Sequence, residues 1–101
     1  MKKKSEIKLK PKHKAVLGAL CDCCASVDRS GKYHISIGMH VAPEYVQRKL
    51  KTQYRNKVKT ALDYLCAKGL AQQHPTGGSM TYHLTNKGLE VAHQLGLFEN
   101  G

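Results

Sequence analysis

Apolar residues recur at spacings of three and four through Val16, Leu17, Leu20, Cys21, Cys24 and Val27, the period of a helix with one buried face. A first helix is therefore expected from Lys12, closed by the turn residues Asp28-Arg29-Ser30-Gly31. Tyr33-His34-Ile35-Ser36-Ile37 alternates instead with a period of two and carries β-branched residues, so a short strand ending at Gly38 is expected there. Pro43 suits a first helical position and Glu44 the positive end of a helix dipole, and Val46 with Leu50 gives a second helix over about residues 43–50. After a polar turn at Lys51-Thr52-Gln53, the segment 54–68 places Val58, Ala61, Leu62, Leu65 and Cys66 on one face before Gly69 stops it. Residues 70–74 and 80–84 flank the turn Pro75-Thr76-Gly77-Gly78-Ser79 as a β-hairpin. Thr85 is a good N-cap for a last helix in which Leu89, Val91, Ala92 and Leu95 pack before Gly96.

Charge changes this picture more than overall composition does. Of the net +10, residues 1–14 contribute +6 and residues 44–59 contribute +5, leaving a nearly neutral body. Two basic blocks on such a body are the footprint of a polyanion-binding protein, and nucleic acid is favoured over membrane because neither block carries Trp or Phe. The plainer reading is a solvated tail and a charged helix face. No apolar run approaches the roughly 18 residues that span a bilayer. The chain reads as one soluble cytoplasmic domain, with three clustered cysteines fitting a reducing compartment.

With the order of elements in hand, three segments carry a resemblance. Val46-Gln47-Arg48-Lys49-Leu50 resembles the first helix of a helix-turn-helix. Ala61-Leu62-Asp63-Tyr64-Leu65-Cys66-Ala67-Lys68-Gly69-Leu70 resembles the end of a recognition helix running into a wing. Tyr82-His83-Leu84-Thr85-Asn86-Lys87-Gly88-Leu89 resembles the returning strand and last helix of MarR-type and PadR-type winged-helix regulators. The resemblance covers about residues 12–96, and the turn before helix three is a residue longer than the family pattern. It implies an α+β, mainly α winged helix: a three-helix core with a helix-turn-helix, a short β-hairpin wing and one C-terminal helix. The expected organisation is a flexible basic arm over 1–11, a DNA-binding domain over 12–97 and a tail over 98–101. The implied function is sequence-specific binding of double-stranded DNA by a nucleoid-associated transcriptional regulator, with a recognition helix at about 54–68 in the major groove. A second reading is a winged-helix interaction module that binds RNA or an acidic protein.

On the helical wheel of segment 54–68, Asn56, Thr60, Asp63 and Ala67 point away from the core, with Lys57 at one flank and Gln53 near the same outward face. Gln53, Asn56, Lys57 and Thr60 are the candidates for reading base edges, since amides pair with adenine and Lys donates to guanine. Arg48, Lys49, Lys51, Arg55 and Lys59 are placed for phosphates, and Thr76 and Ser79 for the backbone from the wing. Outward Asp63 is expected to mark where close approach to DNA ends.

No GxSxG, HExxH or phosphate-cradling glycine loop is present, so the expectation is a non-enzyme without cofactor. The run Leu20-Cys21-Asp22-Cys23-Cys24-Ala25 leaves three readings open: packing, with Cys24 in the core and Cys21 and Cys23 on opposite edges; redox sensing; or a two-thiol metal site. Cys66 is expected to approach Cys24. His34 and His83 are expected in one small sheet. The opposite face of helix one, with Ala15, Gly18, Ala19, Asp22, Ala25 and Ser26, is small enough to admit the last helix or, in a homodimer, a second subunit.

Overall fold

The computed structural model describes residues 9–97; the expected arm, apart from Leu9, Lys10 and Pro11, and the tail 98–101 lie outside the described residues. The elements run α1 (Pro11–Cys23), β1 (Ala25–Val27), β2 (Tyr33–Ile35), α2 (Pro43–Arg48), a 3-10 turn (Thr52–Tyr54), α3 (Val58–Ala67), β3 (Ala71–Pro75), β4 (Met80–Leu84) and α4 (Asn86–Gln94). They form a small α+β domain of four helices and two antiparallel two-stranded sheets.

Helix α1 supplies the centre of the core. Val16, Leu17, Leu20 and Cys21 are fully buried and pack with Val46 of α2, Leu62 and Leu65 of α3, Tyr82 and Leu84 of β4, and Ala92 of α4. Its small face receives the chain's own C-terminal segment: a Cβ added at Gly18 would stand 3.0 Å from the carbonyl oxygen of Leu97. Ala15 and Ala19 flank this approach, half-buried and buried respectively.

Two boundaries differ from the sequence pattern. Helix α1 stops at Cys23, and Ala25–Val27 turns into a strand paired with Tyr33–Ile35 in the register Ala25 to Ile35, Ser26 to His34 and Val27 to Tyr33. Val27, expected on the buried face, is 62% exposed. The cause is the turn that follows it. Oδ1 of Asp28 accepts hydrogen bonds from Ser30 N, Ser30 Oγ and Lys32 N, its Oδ2 meets His34 Nε2 at 2.9 Å, and Gly31 takes φ +87°. A local side-chain network of this kind competes with helix propagation and wins where the next residue is β-branched. The second difference is that α3 begins at Val58, four residues after Tyr54.

Strands β3 and β4 pair from Ala71 with Leu84 to Pro75 with Met80, close to the expected hairpin. Val41 adds a one-residue third strand, its N–H and C=O both bonded to Tyr82 at 2.8 Å. His34 and His83 therefore belong to different sheets, contrary to expectation.

The root of this hairpin is locked to α4. Thr85 caps α4 by accepting from Gly88 N at 3.0 Å and donates its own hydroxyl to the Gly69 carbonyl at 2.7 Å. Gly88 faces the Leu70 backbone so closely that an added Cβ would lie 1.9 Å from its carbonyl oxygen. We expect Gly88→Ala to lower stability by about 3 kcal/mol in urea denaturation, at the upper end of overpacking costs. Gly77→Ala, at a position with nothing within 4 Å and no positive φ, should change it by less than about 0.5 kcal/mol.

Candidate nucleic-acid interface

The segment joining α2 to α3 is pinned inward at every fourth residue. Leu50 and Val58 are buried and Tyr54 is half-buried against the core. The residues between them, Lys51, Thr52, Gln53, Arg55, Asn56 and Lys57, are all exposed. Three side chains brace the backbone of this connection. Arg55 Nε donates to the Leu50 carbonyl at 2.9 Å, Gln47 Nε2 donates to the Arg55 carbonyl at 2.9 Å, and Lys12 Nζ of α1 donates to the Asn56 carbonyl. One turn into α1, His13 stacks on Tyr64 of α3 with ring centroids 3.9 Å apart and planes 8° from parallel. Burial, then the charges of Lys10 and Lys12, lower the His13 pKa and favour the neutral ring.

Gln53 thus lies in the 3-10 turn, Asn56 in the loop and Lys57 at the N-cap of α3; only Thr60 of the four candidate readers is on the helix, in its first turn. The wheel extrapolated back from α3 does not apply before Val58. All four are nevertheless exposed, as are Arg48, Lys49, Lys51, Arg55 and Lys59. Arg48 and Arg55 border a notch of about 320 Å³ with Gln47, a size that suits a single phosphate group. Lys57 is the one non-glycine residue with positive φ among the described residues, at φ +57° and ψ +39°. That conformation costs an L-residue roughly 1–2 kcal/mol.

Asp63 does not mark an outer limit for DNA. It faces the hairpin, accepting from Tyr82 Oη at 2.7 Å and Gln73 Nε2 at 2.8 Å on one oxygen and from Lys59 Nζ at 3.4 Å on the other. Burial alone would raise its pKa, but the bonds from Tyr82 and Gln73, helped by Lys59, outweigh burial and hold the carboxyl below its usual range. In the hairpin turn, Thr76 Oγ1 donates to the Ser79 carbonyl at 2.9 Å and lies 3.3 Å from Ser79 Oγ, so the two hydroxyls expected on the DNA backbone also close their own turn.

The cysteines divide differently from the edge-and-core expectation. Cys21 and Cys24 are both buried, Cys23 and Cys66 are half-buried, and all four are free thiols. Burial, with the neighbouring thiol Cys24 and the charge of Asp22 behind it, pushes Cys21 up to about 12; burial and the adjacent Cys23 push Cys24 to about 11. Thiols held neutral in this way pack as small apolar groups. His40 stacks near His74 and His83, with centroids 3.9 and 5.5 Å away, yet no group of three His, Cys, Asp or Glu among the described residues is arranged to hold a metal ion.

No family model, curated protein or solved structure matches this chain. The residues themselves therefore carry the functional argument. Sequence reasoning missed Lys12, His13 and the inward role of Asp63; the only signal for the last was its spacing of four from Lys59.

Because the folded pKa of Asp63 lies below its unfolded value, its ion contributes stability at neutral pH, and this contribution is lost as pH falls through the folded pKa, below about pH 4. Tyr82→Phe should raise the Asp63 pKa toward the ordinary carboxylate range in a carbon-detected titration, and its stability deficit should be larger at pH 7 than at about pH 2. An unchanged pKa would mean that the phenol does not hold the carboxylate.

Proposed function

We propose that this chain is a winged-helix module that binds double-stranded DNA and acts as a transcriptional regulator. The observation that carries the reading is an unbroken basic surface. From Tyr45 to Leu62 the chain has six Lys or Arg and no Asp or Glu, and every one of the six is exposed. Gln53, Asn56 and Thr60 interleave neutral donors and acceptors with that charge, which phosphate binding alone does not require. The order of three helices followed by a hairpin and a helix, with Val41 as a third strand beside Tyr82, agrees with a winged helix.

In this reading α3 presents Thr60 to the major groove, and the braced loop before it presents Gln53, Asn56 and Lys57. Arg48, Lys49, Lys51, Arg55 and Lys59 meet phosphates, and the hairpin turn lies along the backbone. A location on the nucleoid in the cytoplasm follows from the same reading. The interleaved amides also favour DNA over the alternative of a purely electrostatic RNA or acidic-protein adaptor.

Sequencing DNA selected by the protein from a random pool, with RNA as competitor, tests the proposal directly. On the selected site, Asn56→Ala should lose about tenfold or more in affinity and lose little on random DNA. Lys59→Ala should weaken both about equally. If arm and loop together neutralise roughly six phosphates, the log-log salt slope should be about −5, and a slope near zero would exclude nucleic acid.

Lys57 gives a separate test of loop against helix. Lys57→Gly removes a charge at a left-handed position that glycine accepts readily. It should leave thermal stability unchanged or higher while weakening binding to the selected site. Reduced stability together with unchanged binding would remove Lys57 from the interface.

A further inference from the structure

A cleft of about 520 Å³ opens between the end of α1, β1, the Met39–Val41 segment and α2, away from the residues proposed to read bases. Its volume lies within the range of small-molecule sites. Ala25, Met39 and Val41 give it aliphatic and thioether walls, and the half-buried thiol of Cys23 extends them. Met39 is 48% exposed although it is large and apolar, so the cleft leaves uncovered apolar area that an occupant would remove from water. Tyr45 is the one phenol ring of the lining, and Arg48 already sits 5.3 Å above its centroid. A flat aromatic ligand would have to displace that contact, whereas a flexible chain would not. Arg48 and Lys49 outnumber the one acidic residue of the lining, Asp22, and neither forms an ion pair with a carboxylate among the described residues.

We infer that this cleft binds a small amphiphilic carboxylate, a linear acyl chain lying along Ala25, Met39 and Val41 with its head group on Arg48. A phosphate or other compact anion would satisfy the cations and leave the apolar walls wet. An uncharged acyl chain would leave Arg48 unmatched. Arg48 also borders the notch with Gln47 and Arg55, on its other side. One guanidinium cannot face both cavities at once. Resting on the DNA reading of that notch, occupancy of the cleft therefore weakens DNA binding, and DNA weakens the ligand by the same factor.

Octanoate titrated into the isotopically labelled full chain without DNA is the test. Saturable shifts are expected at the amides of Ala25, Met39, Val41 and Tyr45, with half-saturation at roughly 1 mM for a ligand of this size. The uncharged 1,2-octanediol should bind at least tenfold more weakly. Arg48→Gln should weaken octanoate about tenfold, Arg48→Lys should weaken it less, and Met39→Asp should abolish the shifts while the rest of the amide spectrum keeps its folded dispersion. Lack of saturation, equal binding of the diol, or indifference to Met39→Asp in a folded variant would overturn the site. Repeating the titration with the selected DNA then reads the coupling: octanoate should lower DNA affinity and DNA should lower octanoate affinity by one common factor, and independent binding would overturn the shared arginine. Octanoate binding by a chain that binds no DNA would remove the proposed function and leave the cleft standing; DNA binding without octanoate would do the reverse.

Discussion

The buried phenol of Tyr82 is the constraint on which the arrangement of the other elements depends. Its ring is fully buried in the core, and a buried hydroxyl must find a partner or forfeit the free energy of its lost hydration. The partner is Asp63 of α3, at 2.7 Å. The backbone of Tyr82 is meanwhile bonded in both directions to Val41, the residue that leads toward α2. Its cross-strand neighbour Gln73 bonds the same carboxylate oxygen. One residue thus ties together β3, β4, α3 and the approach to α2. The angle at which the hairpin leaves the helices follows from that knot, and the contacts at Thr85 and Gly88 hold the other end of β4 against α3 and α4.

What the sequence displayed well was every element whose stability comes from one long apolar face. The α3 stripe of Val58, Ala61, Leu62 and Leu65 is buried as its spacing predicts, and the Thr85 cap and the flanks of the hairpin fall close to their expected places. What it hid were features decided by side-chain bonds at a distance. Cys24 and Val27 continue the helical period of α1, yet Asp28 gathers four partners and draws the chain into a hairpin. Periodicity registers where apolar residues fall, and cannot register which of two local hydrogen-bond schemes is better satisfied. Asp63 was misplaced for the same reason: a wheel gives a direction, but the Tyr82 hydroxyl that reaches that direction comes from nineteen residues away.

The candidate interface shows a similar division. Its composition was legible, because six cations without an intervening carboxylate need no structure to be noticed. Its shape was not. Continuing the α3 wheel to Tyr54 assumes a helical backbone, whereas Leu50, Tyr54 and Val58 instead anchor a non-helical connection that displays its polar residues in the gaps. Gln47, Arg55 and Lys12 then hold the carbonyls of that connection. Such bracing meets part of the ordering cost before any partner arrives, which favours affinity per contact.

Lys57 adds a consequence on the scale of sequence divergence. A left-handed backbone at this position is most easily occupied by glycine or asparagine, so random substitution tends to replace the lysine with a residue that relaxes the chain. Persistence of a long cationic side chain there would have to be maintained by selection against an easier alternative. In a lineage of such chains, the residue at this one position would separate members that still depend on the charge from those that have ceased to.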